Sequence, residues 1–535
     1  MKLYAMEPEI SSLEARLERA PPGDSLLAVK VALAWHLRQR DSARCLKLSQ
    51  DVVTLIGGSL PNALADADGG HLAAYRARAA LAAGEAAALH CDFNAAERWL
   101  LDARANVTPQ GDVQAEGDAW LLESSIANAR GQREREREAL EHGIAFFSRG
   151  DAPERLAVAR AWAAFERTLS LPDLQALAHL EPPGKAWPEA RIAWNAILSA
   201  AQALALTHRD PGTAAALYKQ ASAEARAVGL VQLDVMCIIN AGLAVYDLGD
   251  RDLAAECFGL AEQRACATGW PSLVAVSDTR IGELLSDLGA FEDSRRVLNG
   301  SIGVLATTSR GAPLASACAA LARTLVAMGL PEDALAPIGA AVDLHREAGP
   351  GSALAFALLF QARALTPVAL PHRVLEVLDE ARLLIDRLGL HSLRIGLMDV
   401  LSDVHHRYPL APPPDMTLAT AALHYAEAAL SQGSRIDGWK AGAALYAFLA
   451  DRWAEAGDHA RAYGYATLAL NANEQETSQK MRYPLGLLRI RRRAEESAPS
   501  LPAVSCKPTN LEDLRMPRDF MNGSSSMPRG GGSSR

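Results

Sequence analysis

The sequence predicts an all-α chain, a right-handed superhelical solenoid of about eleven antiparallel helix pairs with a period near 40 residues. Three observations carry this. The first is composition: only 5% of residues are aromatic, and Ala, Leu and Arg dominate stretches such as Leu72 to Leu89, which lose little side-chain entropy in a helix. The second is a glycine series, Gly249, Gly289 and Gly329, spaced by 40 and each following an apolar helical segment (Val235 to Leu248, Ala275 to Leu288, Ala315 to Met328). The third is an interleaved series, Gly229, Gly269, Gly349 and Gly389, at the ends of the second segments, with Gly311 about two residues off the missing place. Glycine accepts the left-handed backbone that closes a helix, so two series mark two turns per repeat.

Taken in order, the turns inside the pairs fall near residues 40, 91, 131, 170, 209, 249, 289, 329, 369, 409 and 457. Two gaps are wide. They hold turn-rich insertions, Gly57 to Gly70 and Pro412 to Pro414, whose extra residues belong in loops. Residues 1–24 read as an N-terminal cap segment, 25–473 as the repeat array, 474–496 as a connector, and 497–535 as a Pro/Ser/Gly-rich tail that cannot bury a core and is expected to be disordered.

Within the repeats, small residues recur where two helices must approach closely. Gly242, Gly249, Ala254, Phe258 and Ala261 stand at positions 8, 15, 20, 24 and 27 of the tetratricopeptide (TPR) pattern. The register returns in part with Gly84, Ala96 and Ala103, with Ala214, Tyr218 and Ala221, with Ala322, Ala334 and Ala341, and with Ala450, Ala462 and Ala469. On these residues the chain resembles the tetratricopeptide-repeat sensor regions of bacterial signalling proteins, including those preceding diguanylate cyclase domains and those of maltose-activator-type regulators. That resemblance implies a TPR-like solenoid in a bacterial signalling setting. No Gly-Gly-Asp/Glu-Glu-Phe string of a cyclase occurs in the sequence.

Other classes are disfavoured. A formal charge of -9, from 54 basic and 63 acidic residues spread along the chain, gives no global attraction for nucleic acid or anionic membrane. Seven cysteines without a Cys-x-x-Cys pair sit in helical patterns as small apolar residues, which fits a reducing, cytoplasmic setting. Residues 1–20 carry Glu7, Glu9, Glu14, Arg16, Glu18 and Arg19 in place of a signal peptide's apolar run. The longest apolar stretch, Ala353 to Phe360, is far short of the roughly 20 residues a membrane helix needs.

Nor does a catalytic site assemble. Gly184-Lys185 follows Pro182-Pro183 rather than a strand, with His179 where a Walker loop needs glycine. His405 and His406 point about 100° apart on a helix, so no metal is expected. The run Arg133 to Glu138 offers i,i+3 pairs such as Arg133 with Glu136 and reads as a solvated face. The basic cluster Arg489, Arg491, Arg492 and Arg493 reads as solvation beside the tail, with no nucleic acid expected.

The expectation is therefore a cytoplasmic, non-enzymatic protein-interaction scaffold without cofactor, binding a peptide or protein partner in its concave groove, with self-association compatible. The alternative is the sensory region of a truncated or split diguanylate cyclase-type protein, motivated by the connector-like residues 474–496. If the array follows its family, helix A positions 2, 5, 6, 9 and 12 line the groove, which places Asn240, Tyr246, Arg280, Glu283, Arg323, Arg363 and Asp403 there. Arg323 and Arg363 share position 9 in adjacent units, a spacing suited to two bidentate acceptors.

Overall fold

Helical periodicity along the array and glycine at most boundaries of its central repeats leave few alternatives to paired helices, and the computed structural model shows them. It describes residues 1–21, 23–57, 69–107, 113–170, 173–309, 311–414 and 416–482. Helix α1 (Glu7–Arg19) precedes eleven pairs: α2 (Asp24–Leu37) with α3 (Ser42–Gly57), α4 (Gly69–Leu89) with α5 (Phe93–Asn106), α6 (Val113–Ala129) with α7 (Arg133–Arg149), α8 (Pro153–Ser170) with α9 (Leu174–Ala178), α10 (Pro188–Leu206) with α11 (Pro211–Val228), α12 (Val231–Asp247) with α13 (Arg251–Thr268), α14 (Pro271–Asp287) with α15 (Phe291–Thr308), α16 (Ala312–Ala327) with α17 (Pro331–Ala348), α18 (Ser352–Leu365) with α19 (Pro371–Leu388), α20 (His391–Arg407) with α21 (Ala421–Gly433), and α22 (Ala443–Glu455) with α23 (His459–Arg482). No strand occurs among the described residues.

The glycine series do what their spacing predicts. Gly229, Gly249, Gly269, Gly289, Gly329, Gly349 and Gly389 all have positive φ, from 64° to 100°. Helix starts are set by Asp92, Asp210 and Asp250, each accepting a backbone N–H three residues on, a cap worth about 1 kcal/mol. Packing inside a pair follows the small-residue register: a Cβ at Gly242 would stand 2.5 Å from the Phe258 ring, and one at Gly282 would stand 2.6 Å from Leu298. Ala254 is wholly buried.

One pair departs from the pattern. Its second helix, α9, has only 5 residues. Pro182, Pro183 and Pro188 follow closely and cannot continue a helix, so α8 packs directly on α10 around Ala164, Leu177 and Ala201. Between α20 and α21, residues 408–414 and 416–420 are non-helical, as the prolines there predict. Of the N-terminal insertion, residues 58–68 lie outside the described residues. So do the basic cluster at residues 489–493 and the whole of residues 497–535. Within 474–496, the described part continues α23 to Arg482.

The winding of the array was not visible in the sequence. Turns inside early pairs touch junctions between pairs four to five repeats later. Arg40, after α2, donates to the Ala227 carbonyl at 3.0 Å, a separation of 187 residues. Trp270, before α14, donates its Nε1–H to Ser42 Oγ at 2.9 Å. His208 and Ser392 bond through ring and hydroxyl at 2.9 Å, 184 residues apart, and Arg209 donates to the Leu388 carbonyl at 3.1 Å. Lys440 N–H donates to the Leu248 carbonyl at 3.0 Å. Successive superhelical turns therefore stack, and carbonyls left without partners at helix ends find donors across the seam.

Candidate inner-face binding site

The first helices of the pairs share one face, and there side chains from repeats two apart meet. Only the inside of a curved array brings such residues together. Tyr246 on α12 and Arg323 on α16 are 77 residues apart, yet Arg323 Nη1 donates to Tyr246 Oη at 3.2 Å. Tyr246 Oη in turn donates to Asp287 Oδ2 at 2.5 Å, and Arg251 Nη1 reaches the same oxygen at 2.6 Å. Arg323 Nη2 lies 4.0 Å from Glu283 Oε1, and Arg280 Nη1 donates to Glu283 Oε2 at 2.5 Å. Two guanidinium groups lie by the Tyr246 ring, Arg251 4.9 Å and Arg323 5.7 Å from its centroid.

Three arginines thus face two carboxylates. Burial opposes the charge on Arg323, but Tyr246, Asp287 and Glu283 outweigh it and hold its pKa above the ordinary value. The side chains of Arg280 and Arg323 are only 11% and 17% exposed, and the Nε–H of each is buried without a partner.

The structure brings Tyr246, Arg280, Glu283 and Arg323 into this one network. It holds the other groove residues elsewhere: Asn240 bonds to the Tyr218 hydroxyl, Arg363 pairs with Asp399 beside Phe360, and Asp403 pairs with Arg407 at 3.1 Å. His405 packs on Tyr425, and His406 Nδ1 bonds to Arg452 at 2.8 Å. Among the described residues no group of three or more His, Cys, Asp or Glu could hold a metal ion, and no helix is long and apolar enough to cross a membrane.

Sequence reasoning missed a second stretch of this face. Arg155 on α8 is fully buried, and its guanidinium bonds to Asp118 of α6 at 3.1 Å and to Glu154 at 2.9 Å. Arg78 of α4 also binds Asp118. Arg38 pairs with Glu85 at 2.7 Å and lies 4.3 Å from the Trp35 ring centroid. Against these groups run residues 1–6, which form no helix, with Leu3, Tyr4 and Ala5 buried. The available signal was charge inside apolar helical patterns, since Arg78 and Arg155 each stand in an Ala-rich segment.

The Arg133 to Glu138 run is corrected in part. Arg133 does bond to Glu136 at 3.4 Å, and Arg137 and Glu141 are exposed. Glu136, however, is buried, because α7 packs on α8 and meets Glu166, whose carboxyl is pushed up to about 8 by burial and by Glu136, against the opposing Arg133.

No protein-family model matches the chain, and no curated protein matches it. Solved structures do. A Rap protein complexed with competence and sporulation factor matches with a TM-score of 0.50 at 10% identity, over 68% of this chain and 99% of that one. The Cut9 protein in the APC/C hetero-tetramer Cut9-Hcn1 matches over 88% of this chain and 87% of that one, with a TM-score of 0.44 and 12% identity. The quorum sensor NprR from B. thuringiensis matches over 74% of this chain and 97% of that one, with a TM-score of 0.37 and 14% identity. The first of these shows the fold: this chain is a TPR-like helical-repeat solenoid.

Proposed function

We propose that the array is a non-catalytic, cytoplasmic scaffold that takes a segment of a peptide or protein partner along its inner face. The observation that carries this reading is the cluster of Tyr246, Arg280, Glu283 and Arg323, drawn from α12, α14 and α16 and joined across two repeats on the inner face. Arginines and carboxylates on an inner face suit the polar backbone and side chains of an extended chain, and Arg363 and Asp403, further along, extend the same surface in this proposal. The Rap protein of like fold is complexed with competence and sporulation factor, which supports a binding role.

Peptides selected by display on the full chain test it. A selected peptide should lose roughly tenfold or more in affinity for the variant Arg323→Glu with Arg363→Glu, about 1.4 kcal/mol, while circular dichroism stays unchanged. Undiminished affinity would overturn the site, and failure to select any binding peptide would overturn the reading.

A further inference from the structure

Residues 1–6 are held in the way a bound peptide is held. The carbonyl of Met1 accepts from Arg155 Nη2 at 3.2 Å. The carbonyl of Leu3 accepts from Trp35 Nε1 at 3.1 Å and from Arg38 Nη2 at 3.5 Å, and that of Ala5 from Arg40 Nη2 at 2.8 Å. Alternate carbonyls along a non-helical stretch thus face one row of side-chain donors, the geometry by which extended chains are read through their backbone. Lys2 reaches Glu189, at the start of α10, at 3.1 Å. The Tyr4 ring lies 5.6 Å from the Arg38 guanidinium, and burial pushes its hydroxyl up to about 12.

The donors are fixed by the array itself. Asp118 and Glu154 hold Arg155, and Glu85 with the Trp35 ring holds Arg38, so both stay aimed when the segment departs. A segment that merely covered an apolar end would need no such row of charged donors.

We propose that the inner face of the first five repeats is a peptide-binding subsite that residues 1–6 occupy in cis. It opens to an extended peptide in trans when this segment leaves. The ligand class follows from the contacts: a basic residue, then an apolar residue and an aromatic one, then a small residue, with backbone carbonyls supplying the polar contacts. The inference rests on the reading of the array as a peptide binder and adds its regulation. A tethered segment acts at an effective concentration on the order of millimolar, so a competing peptide binds the intact chain weakly.

The probe is the free peptide Met-Lys-Leu-Tyr-Ala-Met, with a scrambled sequence as control. In the full chain, Leu3→Asp with Ala5→Asp places two carboxylates in buried positions and should expel the segment. The peptide should bind this variant at least tenfold more tightly than it binds the parent, and the scrambled peptide should not. Equal binding to both chains, or none to a variant whose circular dichroism matches the parent, overturns the inference. Should the variant fail to fold, labelling of the unaltered chain decides. Excess peptide should expose the buried Tyr4 ring to a tyrosine-directed reagent, and unchanged labelling of Tyr4 overturns it. If display-selected peptides still depend on Arg323 and Arg363 while these outcomes are negative, only the inference falls and the proposed function stands.

Discussion

Two stretches of the inner face, built from the same kind of helix, solve the problem of buried arginine differently. Near the start of the array Arg155 is wholly buried, bonds two carboxylates through Nε and Nη1, and donates from Nη2 to the chain's own Met1 carbonyl. In the centre Arg323 is 17% exposed and shares Tyr246 and Glu283 with neighbouring repeats. The first stretch is covered by the chain's own N-terminal segment, and the second is held together by repeat-to-repeat contacts alone. The scaffold is common to both; what separates them is whether a tethered segment reaches the site.

The largest effect that would break this comparison is on stability. Arg155→Ala leaves Asp118 and Glu154 buried with less compensation and should cost about 3–5 kcal/mol. Arg323→Ala should cost less, about 1–3 kcal/mol, because Arg251 still pairs with Asp287 and Arg280 with Glu283. Urea denaturation of the two variants ranks them, and the opposite order would mean that the central network carries the greater structural load.

How far the sequence reached depends on the range of the contacts concerned. Turns at Gly249, Gly289 and Gly329 were legible because a left-handed helix end is a local demand that few residues but glycine meet. Ala254 and Phe258 were legible because they meet their partners within one pair. The short α9 was not, since only the prolines after it reveal that the pair is incomplete. The seam joining Arg40 to Ala227 depends on a small rotation per repeat summed over more than four repeats, which no single repeat encodes. At the site, position counting placed Tyr246, Arg280, Glu283 and Arg323 where they meet in one network, while Asn240, beside the Tyr218 hydroxyl, stands outside it. Residues 1–6 carry no periodicity, and the sequence reads them only as part of a cap segment, residues 1–24.

A mid-sized effect sharpens the packing side of the comparison. Ala254→Leu, at the wholly buried crossing of α12 and α13 below the central network, should cost about 1–3 kcal/mol by overpacking, read as a lower thermal midpoint.

Two titrations lie in the first half of the array. Burial, then Arg38, Arg40 and Lys2, push His36 down to about 3, so folding keeps it neutral. A depressed histidine contributes stability above pH 6.5 that is lost as pH falls from 6.5 towards 3, and His36→Leu should reduce the acid sensitivity of the thermal midpoint. Glu166 has the opposite sign. Its raised pKa contributes stability that is present below pH 4.5 and lost as pH rises towards 8, so Glu166→Gln should flatten the alkaline side. A pH profile unchanged in both variants would contradict these assignments. The smallest effect belongs to Arg135→Ala. That side chain is 41% exposed, and despite its bond to Glu123 the change should stay below about 1 kcal/mol.

The most direct measurement is hydrogen exchange of the full chain with and without a display-selected peptide, resolved helix by helix. A groove lined by first helices predicts slower exchange in α12, α14 and α16, with α13, α15 and α17 little changed. Protection confined to α13, α15 and α17 would place the partner on the outer face and contradict the account.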